Sequence, residues 1–385
     1  MHLSDWVQRI DLGKEIQEVY LHSFLFKLGI KLVSIFLPLY ILELGYSIEM
    51  VVLFFMTYYG GYLFFSLINA KIVSKVGYKH ASLLASPFIL LFYLGLRNLS
   101  GSGPSLYIMA LLGGFAFNLY WTGMNPEVAS SSHSEDREKE TGFFFSMPSL
   151  ASIFSPVVGG LILAVFGFPT LFLFTASIVG SSFLPFLFSD EHRDGMDYSI
   201  LEFISEAELR DFATFAVKGA NSIAKKVLWP LYLAVVLQGS VNIGGAGSFL
   251  SLGSAFTSVM IGKLLTESNR TLVITGGTAV ASLSYLLMSL VTEPTAAFMI
   301  SALNGLSYTA ISIPIYSKAM DHSEQSDVIE YFALREIALS IGRVSALLIL
   351  LGVISFLPQA AAFRYGFVFF AAVVIIIGFM GSRMD

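Results

Sequence analysis

Seven basic side chains lie inside long apolar stretches of this chain. They are Lys27, Lys31, Lys218, Lys225, Lys226, Arg335 and Arg343. A single Lys or Arg at mid-bilayer costs about 2.5–3.5 kcal/mol, so the set would cost on the order of 20 kcal/mol if all faced lipid. One acid, Glu336, lies deep in the same stretches and cannot neutralise seven cations. We therefore expect a positively charged, watery cavity that binds an anion such as a carboxylate or a phosphate ester.

Other roles stay open for individual cations, including gating ion pairs, extension to the membrane surface and a misplaced helix boundary. Lys27 and Lys31 lie one helical turn apart on one face, which favours a shared ligand. Arg335 enters its stretch by only four residues, where it can extend to the cytoplasmic interface. Arg343 and Glu336 are seven residues apart and share a face. An ion pair, a proton-linked site and a purely structural pair all fit that spacing.

Further polar groups would suit the same cavity. On helical spacing are Asn118, Trp121 and Asn125 in one stretch, Asn304, Tyr308 and Ser312 in another, and Tyr58, Tyr59 and Tyr62 in a third. Hydrogen bonds between helices are the commoner role for such groups. His22 is a candidate proton carrier because histidine ionises near neutral pH, with a packing histidine as the alternative.

The elements that must position these groups are membrane-spanning helices. The chain has 385 residues, of which 55% are hydrophobic and 13% charged, and this excludes an ordinary soluble protein and a disordered chain. A bilayer core needs roughly 20 apolar residues per helix. We predict an all-α integral membrane protein with twelve spans, at 18–42, 49–71, 80–98, 104–126, 142–166, 169–188, 210–236, 242–265, 271–291, 295–317, 331–353 and 363–381.

The distribution of Lys and Arg predicts the orientation. Thirteen of these residues fall on the side that holds both termini and two on the other, which places both termini in the cytoplasm. Residues 1–17 fit either a short interfacial helix or a loose tail. The net charge of −5 gives no footprint for nucleic acid.

An internal repeat divides the chain into two halves. Residues 37–41 (LPLYI) match 229–233 (WPLYL) at an offset of 192, and 133–135 match 322–324 at an offset of 189. Two matches in the same order predict two six-helix bundles related by an axis along the membrane normal. The repeat also favours a seventh helix that begins near Arg210 and includes three lysines. The alternative is a helix that begins near Val227, with those lysines in a solvated linker.

The loop between the second and third predicted helices resembles a signature of the major facilitator superfamily of secondary transporters. Lys75, Gly77 and Lys79 match it, whereas Ala70 replaces its glycine and Ser74 its acid. The departure puts in doubt the charge relay that the signature implies at the cytoplasmic face.

A second element, Pro156, Gly159 and Gly160 in the fifth predicted helix, resembles an element of exporters in that superfamily. Proline frees a backbone carbonyl and paired glycines let another helix approach closely, so either a rocking surface or ordinary packing fits.

The resemblance covers essentially the whole chain and implies alternating access around a site lined by the first, fourth, seventh and tenth helices. On that basis Lys27, Lys31, Lys218 and Lys225 face the substrate. The implied divisions are an N-terminal segment, two bundles and a cytoplasmic linker, at 1–17, 18–188, 210–385 and 189–209.

We thus predict a transporter of a small organic anion, monomeric in the plasma membrane, with a proton as the candidate coupling ion. Two rivals stay open: an exporter of amphipathic drugs or lipids, and a non-transporting sensor or scaffold with a transporter fold. Motifs for ATP binding, zinc proteolysis and serine nucleophiles are absent from the sequence, and we expect no enzyme activity, cofactor or metal.

Overall fold

The computed structural model describes residues 14–99, 103–130, 137–188, 206–323 and 327–382. Within these ranges the chain is helical and contains no strand, which confirms the predicted all-α class. The α-helices are α1 Lys14–Val33, α2 Leu37–Glu43, α3 Ile48–Val76, α4 Tyr78–Arg97, α5 Gly103–Ser130, α6 Arg137–Ser182, α7 Glu206–Ile223, α8 Trp229–Val236, α9 Ser240–Leu264, α10 Arg270–Met288, α11 Pro294–Ser323, α12 Val328–Phe356 and α13 Gln359–Gly381. Shorter 3-10 segments lie at Ser34–Phe36, Leu184–Phe188 and Glu267–Asn269.

Ten helical segments in the described ranges are long and apolar enough to cross a membrane. The predicted fifth and sixth spans fall in α6, which turns at Gly167, where φ is 76°. The predicted seventh span is not among the ten, because α7 and the segment after it carry several charged residues. Residues 1–13 and 189–205, which belong to the predicted N-terminal segment and linker, lie outside the described ranges.

The helix that carries Lys218, Lys225 and Lys226 begins before the predicted boundary at residue 210. α7 starts at Glu206, continues into a π-helical segment at Ala224–Leu228 and then into α8. All three lysines therefore lie in helical structure, as the longer reading of the seventh span predicts. The alternative that placed them in a linker is wrong.

Helix contacts recur in the two halves of the chain. α1 packs on α6 as α7 packs on α12, and α3 packs on α5 as α9 packs on α11. Likewise α4 contacts α5 and α6 as α10 contacts α11 and α13. The main contacts between the halves join α6 to α9 and α3 to α12. These two junctions frame the space between the halves.

Both α1 and α7 lose regular α geometry at corresponding depths. α1 passes into the 3-10 turn Ser34–Phe36 just before Pro38, and α7 passes into the π segment Ala224–Leu228 just before Pro230. Proline lacks the N–H that continues a helix, and short π segments are frequent at functional sites. The π segment contains Lys225 and Lys226.

Close backbone contact joins α6 to its neighbours at the paired glycines. A Cβ on Gly159 would lie 2.0 Å from the Leu32 carbonyl oxygen in α1, and a Cβ on Gly160 would lie 2.7 Å from that of Ser240 in α9. The Ser240 hydroxyl donates to the Gly160 carbonyl at 2.8 Å. Pro156 contributes to the same junction, because a Cβ on Gly244 of α9 would meet its carbonyl oxygen at 2.3 Å. The glycines permit approach distances that any side chain would prevent.

Candidate functional site

Four lysines from α1 and the π segment gather at the junction of the two halves. The charge of Lys225 interacts with those of Lys31, Lys27 and Lys226, and Lys226 also interacts with Lys31 and Lys27. Within the described residues, no carboxylate lies within salt-bridge distance of any of the four. We call these four residues the lysine cluster.

The lysine cluster borders open space between the halves. Lys226 is exposed, although its Nζ lies 5.8 Å from the ring centre of Tyr59 in α3 of the opposite half. Lys27, Lys31 and Lys225 are half-buried. Ammonium groups without a carboxylate need water or a ligand. The predicted convergence of these cations is therefore present in the geometry.

A buried ion-pair triad in α12 adjoins the lysine cluster. Glu336 Oε1 accepts a hydrogen bond from Arg335 Nη1 at 2.8 Å, and its Oε2 lies 3.6 Å from Arg343 Nη1. Arg343 is 7% exposed, and its Nε and Nη1 have no hydrogen-bond partner among the described residues. The expected pairing of Arg343 with Glu336 is thus observed, and Arg343 keeps donors available for a ligand.

Arg335 does not extend along the membrane surface, so that expectation is wrong. Its guanidinium is 8% exposed, donates to Glu336, and lies over three aromatic rings at 5.2–5.8 Å, those of Phe215, Tyr316 and Phe332. A carboxylate and ring faces stabilise this cation better than an interface distant from its partners.

Tyrosine rings flank the cations from both halves. Lys225 Nζ lies 3.9 Å from the ring centre of Tyr308 in α11. The Arg343 guanidinium lies 5.1 Å from that of Tyr59 and 5.6 Å from that of Tyr62, both in α3. Cation–π contacts of this kind favour the charged form by about 0.5–2 kcal/mol. Tyr58 contacts both α3 tyrosines through ring packing.

Lys218 lies beside the triad. It is 7% exposed, its Nζ donates to the Ser312 carbonyl at 3.4 Å, and its charge interacts with Arg335, Glu336 and Arg343. A backbone carbonyl thus contacts this ammonium group, in contrast to the lysine cluster.

The asparagines predicted to line the cavity make hydrogen bonds between helices instead. Asn118 donates to Ser66 Oγ at 3.0 Å and accepts from Asn69 at 2.7 Å, which ties α5 to α3. Asn304 donates to Ser284 Oγ at 3.0 Å and ties α11 to α10. Both amides are fully buried, so the alternative role applies to them. Trp121 is half-buried and packs edge-on against Tyr120.

His22 occupies a closed aromatic pocket. Its Nδ1 donates to the Ser182 carbonyl at 2.7 Å, and its Nε2 accepts from the Tyr120 hydroxyl at 2.9 Å. The ring is fully buried and packs against Phe26, Phe183 and Phe186. Both ring nitrogens are satisfied, which matches the packing alternative.

The signature loop forms a buried ion pair that the sequence analysis missed. Lys75 is exposed at the end of α3, Gly77 takes a φ of 95° to turn into α4, and Lys79 is 2% exposed. Lys79 Nζ lies 3.5 Å from Oε1 of Glu127, a fully buried acid in α5. Glu336 is therefore not the only buried acid. The predicted fourth span ended at residue 126, so Glu127 was assigned to a loop.

The second half has an ion pair at the corresponding place. Arg270, the first residue of α10, lies 3.5 Å from Asp321 near the end of α11. A neighbouring polar group is also in the second half, where buried Asp211 accepts from the Tyr331 hydroxyl and lies 2.7 Å from His322 Nδ1. Both features lie near the predicted cytoplasmic face.

Polar contacts join the halves between the triad and the predicted cytoplasmic face. The Tyr316 hydroxyl donates to Asn125 Oδ1 at 3.1 Å, and Asn125 Nδ2 donates to Glu336 Oε1 at 3.5 Å. Ala129 packs with Tyr316, Met320 and Phe332 in a small apolar cluster at the same level. Of these residues, the sequence analysis singled out only Asn125 and Glu336.

A separate cavity of about 330 Å³ lies at the predicted outer face, away from the cations. Its lining includes Leu39 and Glu43 of α2, Gly167 and Phe168 of α6, and Ser240 and Ile243 of α9. We place the candidate site at the cations instead, because charge and unpartnered donors converge there. Among the described residues, no group of three or more His, Asp or Glu residues can hold a metal ion.

The described helices define a multi-pass integral membrane protein with a transporter architecture. Residues 19–206 match the family model of the Major Facilitator Superfamily. The fold is similar to that of the human organic anion transporter MFSD10 (TETRAN), with a TM-score of 0.70 and 12% identity over 96% of this chain and 99% of the other. It is equally similar to a mutant of the nucleoside transporter NupG, with a TM-score of 0.70 and 10% identity over the same shares of the two chains. No curated protein matches the sequence. The chain belongs to the Major Facilitator Superfamily.

Proposed function

We propose that the chain is a secondary active transporter that moves a small organic anion by alternating access. The observation that carries the proposal is the lysine cluster, in which four ammonium groups from both halves converge without a carboxylate partner among the described residues. The unpartnered Arg343 donors add a directional contact for an anionic oxygen.

We further propose twelve membrane spans in two six-helix bundles, with both termini in the cytoplasm of a plasma-membrane monomer. The turn at Gly167 supports two crossings within α6, and the continuous helical run from Glu206 to Val236 supports a seventh span. The recurrence of helix contacts in both halves supports the pseudo-two-fold axis.

Alternating access requires that the halves separate at one face while they stay joined at the other. The α6–α9 junction, with its glycine contacts, holds them towards the predicted outer face. The Asn125–Tyr316 and Asn125–Glu336 contacts hold them towards the predicted cytoplasmic face. An anion between the two junctions touches both halves and can therefore bias which junction opens.

The amphipathic exporter is the weaker alternative. It requires an aromatic cavity with the lysines turned away. The tyrosines near the site instead stack on cations, and Lys226 is exposed to the space between the halves.

A transport assay in proteoliposomes tests the proposal. Purified full-length protein is reconstituted with a panel of radiolabelled carboxylates, phosphate esters and amphipathic cations, and uptake is compared between wild type, Lys27→Ala and Lys31→Ala. We expect uptake of an anion that falls at least tenfold in both variants, because each loses a cation that faces the ligand. Lys263→Gln, an exposed cation in the last turn of α9, is the matched control and should transport normally. Undiminished anion uptake by both alanine variants would refute the cationic site.

A further inference from the structure

The lysine cluster and Arg343 carry more positive charge than one negative group can neutralise. Glu336 is the one acid that interacts with them among the described residues, and both of its oxygens already face arginines. The four lysines remain without a carboxylate, with two in α1 and two in the π segment. A monoanion would leave several like charges close together in a partly desolvated space.

The cations also form two separate groups. Lys27 and Lys31 share one face of α1 in the first half. Lys226 lies across from them in the second half, and its charge interacts with that of Arg343. Tyr59 separates parts of this second group, because its ring lies 5.8 Å from Lys226 Nζ and 5.1 Å from the Arg343 guanidinium.

Arg343 supplies an observation that does not depend on the lysines. Its side chain is 7% exposed, yet Nε and Nη1 have no hydrogen-bond partner among the described residues. Buried guanidinium N–H groups are normally satisfied, and a carboxylate or phosphate accepts from two of them at once. The unpartnered donors therefore point to an anionic oxygen in this second group.

From this arrangement, and resting on the proposed anion transport, we infer that the substrate is a multivalent organic anion whose separated negative groups bridge the halves. One negative group lies at Lys27 and Lys31, and the other lies at Lys226 and Arg343. Dicarboxylates and phosphate esters that carry a further carboxylate share this chemistry. Tyr59 and Tyr62 bound the second position and restrict its volume.

A matched series of probes tests the inference on the wild-type protein. Binding and uptake of butanoate, succinate and 3-phosphonopropanoate are measured in proteoliposomes at constant ionic strength. We expect succinate or the phosphonate to bind at least tenfold more tightly than butanoate, which has the same carbon chain length as succinate but one negative group. Preference between succinate and the phosphonate distinguishes a carboxylate from a phosphorus oxyanion at the second position.

Variants then locate the second negative group. In Lys226→Gln, the advantage of succinate over butanoate should fall to less than threefold, because one of its partners is removed. In Lys263→Gln the advantage should remain. If Lys226→Gln fails to fold, the pH dependence of wild-type phosphonate binding replaces it: affinity should rise from pH 5 to pH 8 as the probe gains its last negative charge.

Two results would overturn the inference in distinguishable ways. Equal affinities for butanoate and both multivalent probes, together with loss of uptake in Lys27→Ala, would refute multivalency and leave the anion transporter in place. No binding or flux of any anion in the panel would refute both the proposed function and the inference.

Discussion

Replacement of Glu336 by glutamine tests whether the triad is a desolvated ion-pair system. The carboxylate is 4% exposed and accepts from Arg335 at 2.8 Å, with Arg343 at 3.6 Å on its other oxygen. Removal of one partner of a buried ion pair costs about 3–5 kcal/mol, because the remaining charge is left uncompensated. Glutamine keeps the shape and one acceptor oxygen, so we expect a loss near the lower end, about 3 kcal/mol.

The free energy of unfolding is measured by titration with SDS in mixed micelles, followed by the fluorescence of the three tryptophans. Trp229 is fully buried in the second half and reports the loss of packing there. Glu43→Gln is the control, since Glu43 is exposed and has no ion pair among the described residues. It should change stability by less than about 0.5 kcal/mol.

A second variant sharpens the result. Adding Arg343→Gln to Glu336→Gln removes one of the two cations that lost their partner, so the double variant should be less destabilised than the sum of the single changes. Equal stability of Glu336→Gln and Glu43→Gln would refute the reasoning. The arginines would then be hydrated well enough to need no carboxylate, and the site would not be desolvated.

Three further substitutions test other parts of the structure. Gly160→Ala should lower stability by about 1–3 kcal/mol and reduce transport, since its Cβ would lie 2.7 Å from a carbonyl oxygen of α9, whereas Gly60→Ala, with no atom within 4 Å, should be neutral or stabilising; equal behaviour of the two variants in an unfolding titration would contradict this. Lys79→Gln and Glu127→Gln should each destabilise the protein by about 3–5 kcal/mol, and a double-mutant cycle should show that their combination costs less than the sum. His22→Phe should cost about 1–3 kcal/mol by leaving two hydrogen-bond partners unpaired, with an unchanged pH profile of uptake; a lost pH dependence would restore the proton-carrier role.

Hydropathy predicted most helix positions, and the internal repeat predicted the one that hydropathy alone would misplace. The predicted second and eleventh spans, at 49–71 and 331–353, lie within α3 and α12. The charged start of the seventh helix lowers its apolarity, so its position emerged only from the match of 229–233 to 37–41. The matched prolines also mark where the lysine-bearing helices change geometry. Proline restricts the backbone locally, which makes this signal readable in a sequence.

Partner choice among polar side chains was not predictable to the same degree. Periodicity placed Asn118 and Asn304 on a helix face, but it does not say whether that face meets a neighbouring helix or a cavity. Similarly, Glu127 was assigned to a loop because a hydropathy window ends at a charge. The helix continues through Glu127 because Lys79, distant in sequence, compensates that charge in the folded chain. Such compensation depends on tertiary packing and leaves no local trace.

The seven buried cations divide by how the fold stabilises them, and the division explains the cost estimated for lipid exposure. Lys218 and the two arginines contact acceptors of the second half. The lysine cluster lacks such partners and is split between the halves. Two unit charges about 8 Å apart at an effective dielectric constant of about 20 repel by about 2 kcal/mol. Closure of the halves without a ligand therefore works against like-charge repulsion, while an anion between them reverses its sign. The same charges that recognise the substrate would thus make closure depend on its presence.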